Sequence, residues 1–117
     1  MKSQNKLQIC LKLKQMGLLN MLFGPSTNEI STYLSKGAII LDVRTDSEYK
    51  SKHIDNAKHI PLQVLQQRIN DLKQLNKPVI AYCASGMRSG QAVSILKNNG
   101  IDAINGGGLS KLQASLP

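Results

Sequence analysis

The residues best suited to chemistry lie together in Cys83-Ala84-Ser85-Gly86-Met87-Arg88-Ser89-Gly90. An apolar run over 78–82 precedes them and a helical pattern over 91–97 follows. A buried strand is therefore expected to end at the cysteine, with a helix starting a few residues later. Small residues between the two let backbone N–H groups turn inward as an anion-binding nest. The positive end of the helix dipole points the same way. A thiol placed there is stabilised as thiolate, the nucleophilic form. Cys83 is the candidate nucleophile, Gly86 and Gly90 supply curvature, and residues 84–89 supply the donors.

The elements that must position this loop follow from the apolar pattern. Residues 38–43 form a continuous apolar run with one acid, as expected of a central parallel strand. A helix is expected over 28–34, capped by Ser26 or Thr27 and ended by Gly37. Residues 46–50 make a helical turn, and 57–61 make a short strand stopped by Pro61. Leu62, Leu65, Ile69, Leu72 and Leu75 recur at helical spacing. A last strand is expected over 101–104, and Gly106-Gly107-Gly108 turns into a C-terminal helix. Alternating strands and helices predict an α/β fold with a mostly parallel sheet. Ligands collect at the carboxyl ends of such strands, where Asp42, Cys83 and the glycine turn all fall.

Composition narrows the function. The chain has 117 residues and a formal charge of +8. Residues 1–20 carry four lysines and no acid, whereas 21–117 hold eleven basic residues against seven acids, a net +4. The folded part is thus mildly basic, with scattered lysines. With one Phe, three Tyr and no Trp there is no stacking platform, so nucleic acid is not an expected partner. Two cysteines, Cys10 and Cys83, do not make a disulfide framework, and a reducing, cytoplasmic compartment is expected. No Cys/His/Asp cluster has metal-ligand spacing, so neither metal nor cofactor is expected. Residues 1–24 read as a lysine-rich, loosely amphipathic extension and 25–117 as the domain proper. Lys12 and Lys14 interrupt the apolar run that a signal peptide needs. A surface contact with membrane through residues 1–22 ranks below a helix docked on the domain or an upstream extension. Cys10 reads as a small apolar residue of that segment.

With these stretches in view the chain resembles a single-domain rhodanese, a sulfurtransferase, from about Asn28 to about Leu112. Leu41-Asp42-Val43-Arg44 with Glu48-Tyr49 is similar to one family motif. Lys52-His53-Ile54-Asp55-Asn56-Ala57, ending in Ile60-Pro61, is similar to a second. The cysteine loop and Asn105-Gly106-Gly107-Gly108 complete the set in order. Lys52 stands where the family has glycine, and Asp55-Asn56 where it has Pro-Gly. Asn56 tolerates the left-handed backbone that glycine would supply there. Ala84 stands where many thiosulfate-using members carry arginine, and Leu112 near the place of a frequent tryptophan.

The resemblance implies a rhodanese-like fold: a small sheet flanked by helices on both faces. It also implies double displacement through a persulfide on Cys83. The donor would be a small anion such as thiosulfate, and the acceptor cyanide, a thiol or a protein cysteine. Ala84, Ser85, Gly86, Met87, Arg88 and Ser89 would bind the anion, with N–H groups supporting the negative charge. Arg88 either steers the anion and lowers the thiol pKa or turns outward to pair on the surface. Ser89 either donates to the anion or caps the helix. Asp42 is expected to accept hydrogen bonds, Arg44 and Glu48 to pair with each other, and His53 to pack and hydrogen-bond rather than act as a base.

Three rivals remain. A cysteine phosphatase or arsenate reductase shares the strand-end cysteine and downstream arginine, but related phosphatases space them by five residues, and here four intervene. A non-catalytic module of the same fold commonly lacks the cysteine. A sulfur relay fed by a protein persulfide keeps it.

Overall fold

The computed structural model describes residues 27–117. The expectations for residues 1–24, for Cys10 and for a Ser26 cap lie outside the described residues. Helix α1 (Thr27–Ser35) leads to β1 (Ile39–Asp42), α2 (Asp46–Ser51) and β2 (Lys58–His59). Then come α3 (Leu62–Leu65), a 3₁₀ turn (Gln66–Arg68), α4 (Ile69–Leu75) and β3 (Val79–Cys83). Helix α5 (Met87–Asn98), β4 (Ala103–Gly108) and α6 (Leu109–Ser115) finish the chain. The four strands form one all-parallel sheet in the order β2-β1-β3-β4.

All five residues of β3 are buried, because helices cover both of its faces. Val79, Ala81 and Cys83 pack with Leu65, Ile69, Leu72, Ala92 and Leu96 of α3, α4 and α5. Ile80 and Tyr82 face the other way, onto Ile30 of α1 and Leu109 and Leu112 of α6. Alternation along one strand thus puts Cys83 and its neighbour Tyr82 on opposite sides.

Two expectations are revised. Gly106-Gly107-Gly108 are not a turn but belong to β4, which runs from Ala103 to Gly108. Ala81 pairs with Asn105 and Tyr82 with Gly107, so Gly106 is an inserted bulge residue. A Cβ there would lie 2.9 Å from Ile80 Cγ2 and 3.1 Å from the Ala81 carbonyl, which makes glycine the residue that fits. Helix α5 starts at Met87, before the apolar pattern becomes visible, so the cysteine loop is only three residues long. The turn after Ile54 closes through the Ala57 N–H on the Ile54 carbonyl, with Asn56 at φ +67° as expected.

A candidate cysteine loop at the carboxyl rim of the sheet

Cys83 ends β3 directly opposite Gly108 of β4, and its side chain is buried in the core beneath the loop. Gly86 adopts φ +100°, a left-handed conformation that turns the chain into α5. Its N-cap residue, Gly86, has no side chain with which to cap that helix. The sulfur does so instead: Cys83 Sγ accepts the Gly86 N–H at 2.9 Å and the Ser89 N–H at 3.4 Å. Ser89 is the third residue of the helix, the position whose N–H a capping side chain ordinarily receives. The expected Ser89 cap is therefore corrected, because its side chain is buried and turned back towards the sulfur.

Ser89 Oγ lies 3.3 Å from Cys83 Sγ and donates to Asn105 Oδ1 at 2.7 Å. Asn105 also accepts the Gly107 N–H at 2.9 Å and donates from Nδ2 to the Gly86 carbonyl at 2.8 Å. Burial pushes the Cys83 thiol up, but Ser89 and the N–H groups of Ser89, Ser85 and Gly86 outweigh it, so the net shift is downward. A polar strand residue just before the glycines was the signal for Asn105, and sequence reasoning read it only as part of a motif.

Ala84, Ser85 and Met87 are exposed on the outside of the loop. Arg88 does not enter the loop. Its Nη1 and Nη2 donate to Glu48 Oε1 and Oε2 at 2.7 and 2.9 Å. Glu48 also accepts the Thr45 N–H, and Thr45 Oγ1 accepts the Glu48 N–H, so the same carboxylate closes a capping box at the start of α2. Its pKa falls to about 2, chiefly through Arg88 and then through the Thr45 N–H.

The expected Arg44–Glu48 pair is consequently absent. Arg44 turns back onto its own strand and donates from Nη2 to Asp42 Oδ2 at 2.7 Å and to the Lys52 carbonyl at 2.6 Å. Asp42 also accepts the Arg44 N–H and the Tyr82 hydroxyl, while Tyr82 Oη accepts the Ile54 N–H. Burial raises the Asp42 pKa, but the Arg44 and Tyr82 hydrogen bonds outweigh it, and the net shift is downward. Asp42 thus shares the rim with Cys83 but faces the opposite side of the sheet. His53 Nδ1 donates to the Tyr49 carbonyl at 2.8 Å and its ring stacks on Tyr49, with His59 on the far face of that tyrosine. Neither histidine has a contact with the sulfur. A recess between Lys73, Asn76, Pro78 and Asp102 opens at the amino ends of β3 and β4, away from Cys83. Among the described residues no three His, Cys, Asp or Glu side chains gather as metal ligands. No helix among them is long and apolar enough to cross a membrane.

Residues 26–114 match the model of the Rhodanese-like domain family. The chain is 42% identical over 67 residues to YqhL, an uncharacterized protein of Bacillus subtilis, covering 57% of this chain and 52% of that protein. It thus spans about half the length of that relative. It is 36% identical over 74 residues to the thiosulfate sulfurtransferase PspE of Escherichia coli, covering 62% of this chain and 71% of PspE. A crystal structure of a rhodanese-like domain protein from Staphylococcus aureus superposes with a TM-score of 0.62 at 38% identity, covering 74% of this chain and 86% of that one.

Proposed function

Because the chain belongs to the rhodanese-like domain family, we propose that it is a sulfurtransferase that carries sulfane sulfur as a persulfide on Cys83. The observation that carries this reading is the sulfur seated as the cap of α5, receiving the N–H groups of Gly86 and Ser89. Such donors hold negative charge without supplying a proton, as Cys83 requires both as attacking thiolate and as the thiolate that leaves the persulfide. The thiolate attacks the outer sulfur of a donor such as thiosulfate. The donor S–S bond breaks, sulfite leaves with the bonding pair, and a new S–S bond forms on Cys83. An acceptor nucleophile then attacks the outer sulfur and returns Cys83 as thiolate: cyanide leaves as thiocyanate, and a thiolate leaves as a persulfide. No general base is needed, which suits His53, whose Nδ1 is spent on the Tyr49 carbonyl. The reading places the reaction in the cytoplasm.

A second donor is favoured by one observation. Arg88 is committed to Glu48, and position 84 is alanine, so the loop binds its donor through backbone N–H groups. A protein persulfide, which brings its own docking contacts, fits such a loop better than a small dianion does.

Intact-mass measurement tests both. The full chain and its Cys83→Ser and Cys10→Ser variants are incubated with thiosulfate, and separately with a persulfidated cysteine desulfurase. The expected result is a gain of one sulfur atom, reversed by cyanide or a thiol and lost only in Cys83→Ser. Gain from the protein donor alone selects the relay. A gain that persists in Cys83→Ser, or none from either donor, overturns the proposal.

A further inference from the structure

Ser89 has one hydroxyl proton and two neighbours that compete for it. One is Asn105 Oδ1 at 2.7 Å and the other is Cys83 Sγ at 3.3 Å. The carboxamide cannot turn over to relieve the contest. Its oxygen accepts the Gly107 N–H and its nitrogen donates to the Gly86 carbonyl, so a flip would set like atoms against each other at both places. While Cys83 is a thiol, the arrangement is consistent: S–H donates to Ser89 Oγ, and the hydroxyl donates to Asn105. Once the thiol proton has left for solvent, the Ser89 lone pairs face an anionic sulfur. The hydroxyl must then swing from Asn105 onto Cys83.

We propose that Asn105 is a positioning residue that sets the direction of the Ser89 hydroxyl, holding its proton off the sulfur in the thiol and persulfide forms and yielding it to the thiolate. The inference rests on the sulfur-transfer reading for the persulfide half alone. In the persulfide the charge lies on the outer sulfur, so the inner sulfur is a poor acceptor and Asn105 regains the hydroxyl. Asn105 thereby favours the loaded and protonated forms over the empty thiolate.

Nearby charges do not provide this direction. Arg88 of α5 is held by Glu48 of α2, and Asp42 of β1 by Arg44 and by Tyr82 of β3. Lys111 of α6 lies against Gly107. The test leaves all of them in place.

The experiment titrates the thiolate by its ultraviolet absorbance in the full chain carrying Cys10→Ser, with Asn105→Ala, Ser89→Ala and both together. Asn105→Ala is expected to move the midpoint down by up to about one pH unit, the size of the neutral hydroxyl–amide hydrogen bond that the thiol form then lacks. The shift should vanish when Ser89→Ala is also present. A merely structural Asn105 would do the reverse, since a slackened loop loses N–H groups and raises the midpoint. A rise, or a fall that persists without the Ser89 hydroxyl, overturns the proposal. Should Asn105→Ala not fold, Asn105→Asp is expected to raise the midpoint more with Ser89 than with Ser89→Ala, and equal shifts overturn it. Persulfide formation, followed by mass in the same variants, is a separate readout. Lost coupling with intact sulfur uptake sinks this inference alone, and coupling without uptake sinks the sulfur-transfer reading alone.

Discussion

Tyr82 and Cys83 are consecutive residues at one end of β3, yet the two sides of the sheet hold them by different means. On the Tyr82 side, a hydroxyl, a guanidinium and a backbone N–H converge on the buried Asp42 carboxylate. Charge there is matched by charge, and every donor has a fixed partner. On the Cys83 side, the sulfur receives the ends of peptide dipoles and lies beside a hydroxyl that donates to Asn105. The first arrangement locks the rim because it has no spare valence. The second leaves the sulfur accepting N–H groups with no ion pair formed on it, the arrangement on which the sulfur-transfer proposal relies. Rigidity and reactivity are thus separated by the thickness of one sheet.

The separation can be broken most severely from the Tyr82 side. Asp42→Asn leaves Arg44, only 6% exposed, without its countercharge. Removing one member of a buried pair typically destabilises by about 3–5 kcal/mol, readable by chemical denaturation. Sulfur uptake per folded molecule should be unchanged, and a loss of uptake at unchanged stability would show that the two sides are not separate.

Gly108→Ala probes the other side. Its Cβ would lie 2.5 Å from the Ala84 carbonyl oxygen, so backbone must shift. Overpacking of this kind destabilises by about 1–3 kcal/mol, and here the thiolate midpoint should rise as well. Tyr82→Phe is the matching small change across the sheet. It leaves the Ile54 N–H unpaired and removes one donor from Asp42, for a loss of about 1–2 kcal/mol with the thiolate midpoint unmoved.

The smallest effect belongs to the pair that bridges α5 to α2. Arg88 and Glu48 side chains are 36% and 31% exposed, and such pairs contribute at most about 1 kcal/mol. Glu48 is held at about 2 against an ordinary 4.5, so its contribution is fully present above pH 4.5 and fades as pH falls through 2. Denaturation curves of the wild type and Glu48→Gln should therefore differ slightly at neutral pH and converge near pH 2. Curves that stay parallel would remove Glu48 from the account.

The reactive side was far more legible in the sequence than the locked side. A fully buried strand ending in cysteine, small residues and a helix is a local pattern, and local patterns survive the absence of coordinates. Partner choice among charged side chains is not local. Arg44 and Glu48 are four residues apart, yet Glu48 serves the amino end of its own helix and an arginine forty positions away. Arg44 falls back on Asp42, two residues behind it. Asn105 was hidden for a different reason. Three glycines in a row read as a turn, and only the bulge at Gly106 keeps them in the sheet, with Asn105 beside the loop.

Gly108 has a consequence for how such a protein can diversify. The nearest approach to its bare Cα is made by backbone, the carbonyl of Ala84 and the Cα of Ser85. At Gly108 the loop therefore rests on β4 main chain to main chain, and Asn105 of β4 holds the Gly86 carbonyl, so neither contact uses a loop side chain. The outward residues Ala84, Ser85 and Met87 can be exchanged for charged, bulky or aromatic ones while the sulfur keeps its place. On the sulfur-transfer proposal, selection of a partner and retention of the chemistry would then be separately heritable traits. One short loop can be rewritten on its surface many times without being re-engineered underneath.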